Sequence, residues 1–432
     1  MSFGSIIHDM VIDITKTRLD TVAQLGAFLE SEGRRNSDRG ISDSLASSND
    51  CESGRPRLKT ATTRKGKHHM TNSSLHGHAC ASHHGHLYPR TNRRNFIAGG
   101  GAAMAVGAPG PLGIGSSART QPQERRIIDV HHHLSPPTQL AALRKENLAL
   151  ALTVQWTPQK SLEEMDRAGV STSILSVTAP AVTFLGRDDA RRVARESNEY
   201  AAKLVSDHPG RFGMFAVLPM PYVDDALKEI EYALDTLKAD GVFLLTNYDY
   251  KWLGHPEFGA IFDQLNRRKA VLHVHPWVAN CCKNLVQDVP DFVVEVTTDT
   301  TRTLASMIFS GTAAKYRDIK FIISHGGGTM PFIVERFSQP AMLIPKYKPF
   351  TLEAVLSELR RFHYDLAQTA QPAALAAVTK LIPVTNLLYG TDFPFRSAQE
   401  HVELLSAFFP QADLNQIYRG NALKLLPRAS AT

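Results

Sequence analysis

His131, His132 and His133 close a short apolar run, Arg126-Ile127-Ile128-Asp129-Val130. Successive side chains of a β-strand point to opposite faces. His131 and His133 therefore share one face, and His132 takes the other. Two imidazoles on one face of a strand end can grip a single metal ion. Three surface histidines at the start of a domain are the plain alternative.

Three later segments favour the metal. They are His273-Val274-His275-Pro276-Trp277, Ser324-His325-Gly326-Gly327-Gly328 and Gly390-Thr391-Asp392-Phe393-Pro394. Imidazole and carboxylate suit Zn²⁺, and they also serve Mn²⁺ or Fe²⁺. A site with an open position can take water or substrate. Singly, each residue has an ordinary use: His325 could satisfy a backbone carbonyl, and Asp392 could cap the next helix. His273 and His275 are expected to alternate faces, so that one of them reaches the metal. His275 is chosen because it is nearer the strand end and precedes a proline; His273 is assigned a packing role or a place behind the ligands. The Gly326–Gly328 run lacks the residues of a phosphate loop and is read as a close backbone approach to substrate.

The elements that would position these residues alternate regularly. Candidate strands are Ile127–His131, Thr172–Val177, Phe212–Val217, Gly241–Leu245, Ala270–His275, Ile319–Ser324, Phe362–Leu366 and Asn386–Gly390. Helical patterns lie between them at Asp188–Asp207, Val223–Lys238, Pro256–Arg268, Thr298–Tyr316, Met330–Phe337 and Pro372–Lys380. Eight strands alternating with helices predict a (β/α)8 barrel, an α/β fold whose chemistry sits at the C-terminal strand ends. The histidines and Asp392 fall at the ends of strands one, five, six and eight. A doubly wound sheet would favour a glycine-rich turn after the first strand; here that turn is His-His-His-Leu-Ser-Pro-Pro.

The charge of the 432-residue chain is uneven. Residues 1–120 hold 15 Lys and Arg against 9 Asp and Glu, and residues 121–432 hold 33 of each kind. The excess of +6 thus belongs to the leader and is no argument for nucleic-acid binding by the folded part. Four cysteines, Cys51, Cys80, Cys281 and Cys282, make neither a disulfide framework nor a zinc-finger spacing.

Residues 1–90 are read as a disordered leader, with a seven-histidine tract between His68 and His86. Residues 91–120 hold Arg93-Arg94-Asn95-Phe96 before a Gly/Ala run, which resembles a twin-arginine export signal and implies a periplasmic location. That run is broken by Pro109 and Pro111 and is a poor membrane span. It starts late for a signal, which suggests a true start at Met70 or an extension of unassigned use. The catalytic domain is placed at 121–432.

With these motifs in view, the chain resembles the amidohydrolase superfamily. Within it, the resemblance is to metal-dependent decarboxylases related to aminocarboxymuconate-semialdehyde decarboxylase. It covers about residues 125–427 and rests on Asp129 to His133, Val274 to Trp277, His325 through Pro331 to Arg336, and Gly390 to Pro394. The resemblance implies a metal held by His131, His133, His275 and Asp392, and His325 as a catalytic histidine. It also implies an arginine, Arg336, that reaches into a neighbouring subunit to hold a substrate carboxylate. A helix-surface pair with Glu335 is the other use for Arg336. The active unit is then a homodimer, with one divalent ion per site, zinc first and manganese second. Where the semialdehyde decarboxylase carries a second substrate-binding arginine, this chain has Ala149.

Ser176 to Pro180, Gly210 to Gly213, Ala239 to Val242 and Thr300 to Thr303 are closer to 6-methylsalicylate decarboxylase-like members. They imply an aromatic ortho-hydroxy acid as substrate. Asp392 would hand a proton to the ring carbon, with His325 managing the phenol or water proton; the two roles are exchangeable. Phe184, Trp277 and Phe393 could wall an aromatic ring, and Asn247 could bond it. Two rivals share the same residues. One is a mononuclear hydrolase of a lactone, ester or amide. The other is a periplasmic binding protein on the same barrel.

Overall fold

The computed structural model describes residues 126–430. The chain divides into two units, Met1–Pro109 and Gly110–Thr432, and all described residues belong to the second. The leader, the twin-arginine-like segment and the histidine tract lie outside the described residues.

Eight parallel strands form the barrel: β1 Ile127–Leu134, β2 Val170–Val177, β3 Phe212–Val217, β4 Gly241–Leu245, β5 Val271–His275, β6 Lys320–Ile323, β7 His363–Asp365 and β8 Leu387–Leu388. Each pairs with its sequence neighbours. Backbone hydrogen bonds from Val130 N to Tyr389 O (3.0 Å) and from Asp392 N to His131 O (2.8 Å) join β1 to the β8 end and close the ring. The strands read as near-continuous apolar runs because both faces are covered. Their Val, Ile, Leu and Phe residues join apolar residues of the surrounding helices in one buried cluster.

Helices of eight or more residues are numbered α1 Pro137–Lys145, α2 Pro158–Ala168, α3 Arg187–Asp207, α4 Val223–Glu231, α5 Gly259–Arg267, α6 Glu295–Phe309, α7 Met330–Ser338, α8 Leu352–Leu359, α9 Pro372–Leu381 and α10 Ala398–Phe408. Local sequence sets their ends. At α2, Thr157 accepts from Lys160 N at 3.2 Å, Pro158 opens the first turn, and Gly169 closes it in the left-handed region at φ 75°. A two-stranded hairpin, Asn247–Tyr248 with Lys251–Trp252, follows β4. None of the described helices is long and apolar enough to cross a membrane.

The expected barrel is present, and all eight expected strands overlap observed ones. β1 runs three residues past its expected end, to Leu134, because pairing continues through His133 with Ser176. Its register with β2 shifts between Asp129 and His132, which marks a bulge. A bulge inserts a residue and re-aims the side chains beyond it.

Candidate active site: a histidine and aspartate cluster at the barrel mouth

The three histidines expected to hold metal share one tautomer, and each is fixed by its partner. His131 Nδ1 lies 3.1 Å from Asp365 Oδ2. His133 Nδ1 lies 3.2 Å from the Val177 carbonyl. His275 Nδ1 lies 2.8 Å from the Pro276 carbonyl. A carboxylate and two carbonyls can only accept, so each Nδ1 carries a hydrogen, and Nε2 is the nitrogen whose lone pair each ring can offer to a metal.

Those lone pairs converge. His131 Nε2 and His133 Nε2 are 3.2 Å apart. Asp392 Oδ1 is 3.3 Å from the first and 2.9 Å from the second. Ligand bonds of ~2.0–2.1 Å in a tetrahedron put neighbouring ligands about 3.3 Å apart, so these spacings fit the edges of one coordination shell. His275 Nε2 and Asp392 Oδ1 are buried without a hydrogen-bond partner. A buried polar atom with no partner is costly, and a shared cation is the partner that this geometry accepts.

The donor atoms of His131, His275, His325 and Asp392 also lie within 4.8 Å of one another. His325 thus competes with His133 for a place in the shell. Asp392 separates the two: its Oδ1 faces His131 and His133, while its Oδ2 faces His325 Nε2 at 3.4 Å and accepts from Gln368 Nε2. Both ring nitrogens of His325 are buried and unpartnered. His325 therefore lies on the Oδ2 side of Asp392, opposite His131 and His133. His325 and Asp392 have left-handed φ values of 55° and 65°, a conformation that costs non-glycine residues ~1–3 kcal/mol each. The turn after His325 needs glycine: Gly328 has φ 66°, and a Cβ there would run into the Thr297 backbone oxygen.

Charge balance follows the same arrangement. Burial acts against a proton on His131, but the carboxylates of Asp365 and Asp392 outweigh it and raise its pKa to about 10. Burial pushes His133 and His275 down. Burial acts against charge on Asp392 too, yet the imidazoles, His131 foremost, hold it well below the usual carboxylate range. The two carboxylates thus favour positive charge at this point, as a proton or as a metal ion.

Several residues stand elsewhere than expected. His273 and His275 do not alternate faces. Two residues apart, they share the inward face, and depth separates them. His273 lies behind the shell, its Nε2 3.2 Å from Asp365 Oδ2 and 3.1 Å from Ser324 Oγ. Phe393 does not wall the mouth; its ring stacks on His132 at 4.8 Å. His132 itself points outward, bonding Asp129 Oδ2 (3.1 Å) and Ser161 Oγ on α2 (2.9 Å). Phe184, Asn247 and Trp277 line a cavity of about 190 Å³ over the ends of β2, β4 and β5. Arg336 is exposed on α7 and makes no ion pair with Glu335.

Three residues that sequence reasoning passed over do essential positioning. Asp365 ends β7 and holds His131; its other oxygen accepts from the backbone of His325 (3.2 Å). Asp129 accepts from His131 N (3.0 Å) and Thr391 Oγ1 (2.6 Å), tying the β1 ligands to the Asp392 loop. Gln368 orients Asp392. The signal for Asp365 was a carboxylate at a strand end.

The amidohydrolase family model matches residues 128–428. The decarboxylase macB of Penicillium terrestre is 34% identical over 321 residues, covering 70% of this chain and 95% of that protein. The 6-methylsalicylic acid decarboxylase of Penicillium expansum is 33% identical over 311 residues, covering 70% and 96%. In fold, the chain is similar to a dihydroxybenzoic acid decarboxylase of Polaromonas sp. JS666 with bound manganese and the inhibitor 2-nitroresorcinol. The TM-score is 0.61 at 21% identity, covering 70% of this chain and 97% of that one. A family match across most of the folded part, on a barrel whose mouth gathers these histidines and Asp392, shows that the chain belongs to the amidohydrolase family.

Proposed function

We propose that the chain is a metal-dependent, non-oxidative decarboxylase of an aromatic acid with an ortho-hydroxyl group, 6-methylsalicylate being the first candidate. The observation that carries this reading is the convergence of three imidazole lone pairs and one carboxylate oxygen beside an unpartnered histidine. Relatives that act as decarboxylases, one of them on 6-methylsalicylic acid, support it.

In this reading His131, His133, His275 and Asp392 Oδ1 hold one divalent ion. Zinc suits the donor set, and a neighbour in fold carries manganese. When bound, the ion would act as a Lewis acid toward the charge that develops on the substrate. Expelling CO₂ from an arene leaves charge on the ring carbon unless a proton arrives there first. Asp392, ionised beforehand, would take the ortho-hydroxyl proton, relayed by His325 3.4 Å from Oδ2, and pass it on to the carbon. The C–C bond then breaks to CO₂ and the ring regains aromaticity. Trp277 and Phe184 exclude water from the ring's flank.

The site is further proposed to be completed in a homodimer, with Arg336 reaching the partner's substrate carboxylate. Around Arg336 the surface is apolar: Phe332 is 70% exposed and Met342 78%. Phe332 lies one turn from Arg336, on the same helix face. Phe332→Asp is expected to give monomers by sedimentation, and an unchanged dimer would remove this part of the proposal.

The function is tested by incubating metal-loaded protein with ortho-hydroxybenzoates, 6-methylsalicylate among them, and following CO₂ and the matching phenol. Release that vanishes on chelation is expected. Silence across the panel, with hydrolysis of lactones or esters instead, would overturn the decarboxylase reading.

A further inference from the structure

Behind the cavity wall lies a buried carboxylate with no part in metal binding. Asp299, on α6, is fully buried. Its Oδ2 accepts from Thr246 Oγ1 and from Asn247 Nδ2, the latter at 2.7 Å. Its Oδ1 accepts from Trp252 Nε1 at 2.8 Å and faces Arg302 at 3.6 Å. The same two pocket-side donors also clamp the main chain of Trp277. Trp277 N donates to Thr246 Oγ1 at 3.1 Å, and Asn247 Nδ2 donates to Trp277 O at 2.7 Å.

The directions of these bonds are forced. Trp277 N–H can only donate, so Thr246 Oγ1 accepts there and spends its own hydrogen on Asp299. The Trp277 carbonyl and the Asp299 carboxylate can only accept, so the Asn247 nitrogen must face both. Its two hydrogens are then used, and nothing is left to donate to a ligand. The amide oxygen of Asn247 carries no hydrogen bond and belongs to a residue lining the cavity. The sequence expectation that Asn247 could bond substrate thus acquires a sign: it can accept only.

We propose that Asn247 favours substrates whose ring carries a second hydrogen-bond donor, a hydroxyl or amino group beyond the ortho-hydroxyl, so that such a ring binds more tightly than 6-methylsalicylate, which lacks one, and that Asp299 is the positioning residue that fixes this polarity. The proposal rests on the reading of the cavity as the aromatic substrate's site. A substrate carboxylate is repelled by the same oxygen, so the ring enters with its carboxylate toward the histidines. Sites built to hydrogen-bond a substrate group discriminate strongly against analogues that lack it.

The test uses the metal-loaded full chain and isomeric dihydroxybenzoates, each paired with the mono-O-methyl ether that keeps the ortho-hydroxyl free. Equilibrium Kd by calorimetry is read beside kcat and KM. At least one isomer is expected to bind ~10-fold or more tightly than its ether, with the difference in KM rather than kcat. In Asn247→Leu and Asp299→Asn that ratio should fall to within about threefold while metal content stays unchanged. Trp252→Phe removes only the Oδ1-side donor and should keep the ratio, although its Tm falls. If Asp299→Asn does not fold, Asn247→Leu decides alone. A ratio near one for every isomer in the unaltered protein, or a ratio that survives Asn247→Leu, overturns the proposal. Binding discrimination without CO₂ release would instead uphold the contact and fail the decarboxylase reading.

Discussion

The histidine and aspartate cluster and the cavity wall both follow the C-terminal ends of barrel strands but are held in different ways. Each cluster residue sits on a strand end or in the turn that leaves it, and its partners are backbone carbonyls or neighbouring strand ends: Val177 for His133, Pro276 for His275, Asp365 for His131. The barrel's own geometry places them. The wall depends on a carboxylate from α6 that reaches 52 residues back in sequence to Asn247. Asn247 and Trp277 follow strand ends, but their orientation is borrowed. In the proposed reading, strand geometry sets the metal's donors and the side-chain network sets the wall that the ring would meet.

The sharpest way to break that division is at Asp392, which in the proposed mechanism serves the metal through one oxygen and the proton path through the other. Asp392→Asn keeps the shape and removes the charge. Turnover is expected to fall by ~10³-fold or more, since general acid catalysis alone supplies roughly 10²–10⁴-fold. CO₂ release and metal content should be measured together, with circular dichroism to confirm folding. Near-normal release from a metal-loaded variant would remove Asp392 from the chemistry.

Asp365→Asn gives the next largest effect and tests the cluster side alone. Asp365 Oδ2 accepts the Nδ1 hydrogen of His131. An amide nitrogen there would oppose that hydrogen and favour the other tautomer, which blocks Nε2. Loss of such a partner typically costs ~10–100-fold in metal affinity or activity. Metal Kd should weaken by that factor, while the hydroxy-to-methoxy binding ratio of reloaded protein stays intact. Asp299→Asn should do the reverse. If either variant moved both readouts equally, cluster and wall would be one unit.

The same division explains what the sequence made legible. The barrel rhythm, His131, His133 and His275 were readable because period two and the strand-end rule act within a few residues. His273 was misplaced by an error of period, since residues two apart share a face. Asp365 was open to the same rule, at the end of His363-Tyr364-Asp365, and was missed only because strand seven carries no histidine at its end. Asp299 was not readable at all. Nothing local marks a helical aspartate as the acceptor for Thr246, Asn247 and Trp252; only the fold brings those donors to it. β8 was expected over five residues and is regular over two, Leu387–Leu388, because Asn386 still belongs to the helical turn Val384–Asn386.

The smallest expected effect is a proton count, and it tests the electrostatics of the cluster directly. In the metal-free protein His131 has its pKa raised to about 10 by Asp365 and Asp392, against the opposing effect of burial. At about pH 8 it therefore holds both ring hydrogens. His133 and His275, pushed down by burial, are already neutral, and Asp392 is already ionised. Coordination needs the lone pair of His131 Nε2, so metal binding should release about one proton at about pH 8. The Nδ1 hydrogen stays on its bond to Asp365. Below about pH 10 metal affinity should then fall roughly tenfold per pH unit from this group alone, and above it the dependence should flatten. The same shift has a sign for the metal-free fold. A raised folded-state pKa stabilises it fully below about pH 6.5, and that stabilisation is lost as pH rises through about 10. Calorimetric titration with Zn²⁺ in buffers of different ionisation enthalpy counts the protons. A count near zero at that pH would mean that His131 is neutral before the metal arrives. In Asp365→Asn, with one raising carboxylate gone, the count should drop toward zero, which links the proton to Asp365 rather than to Asp392 alone.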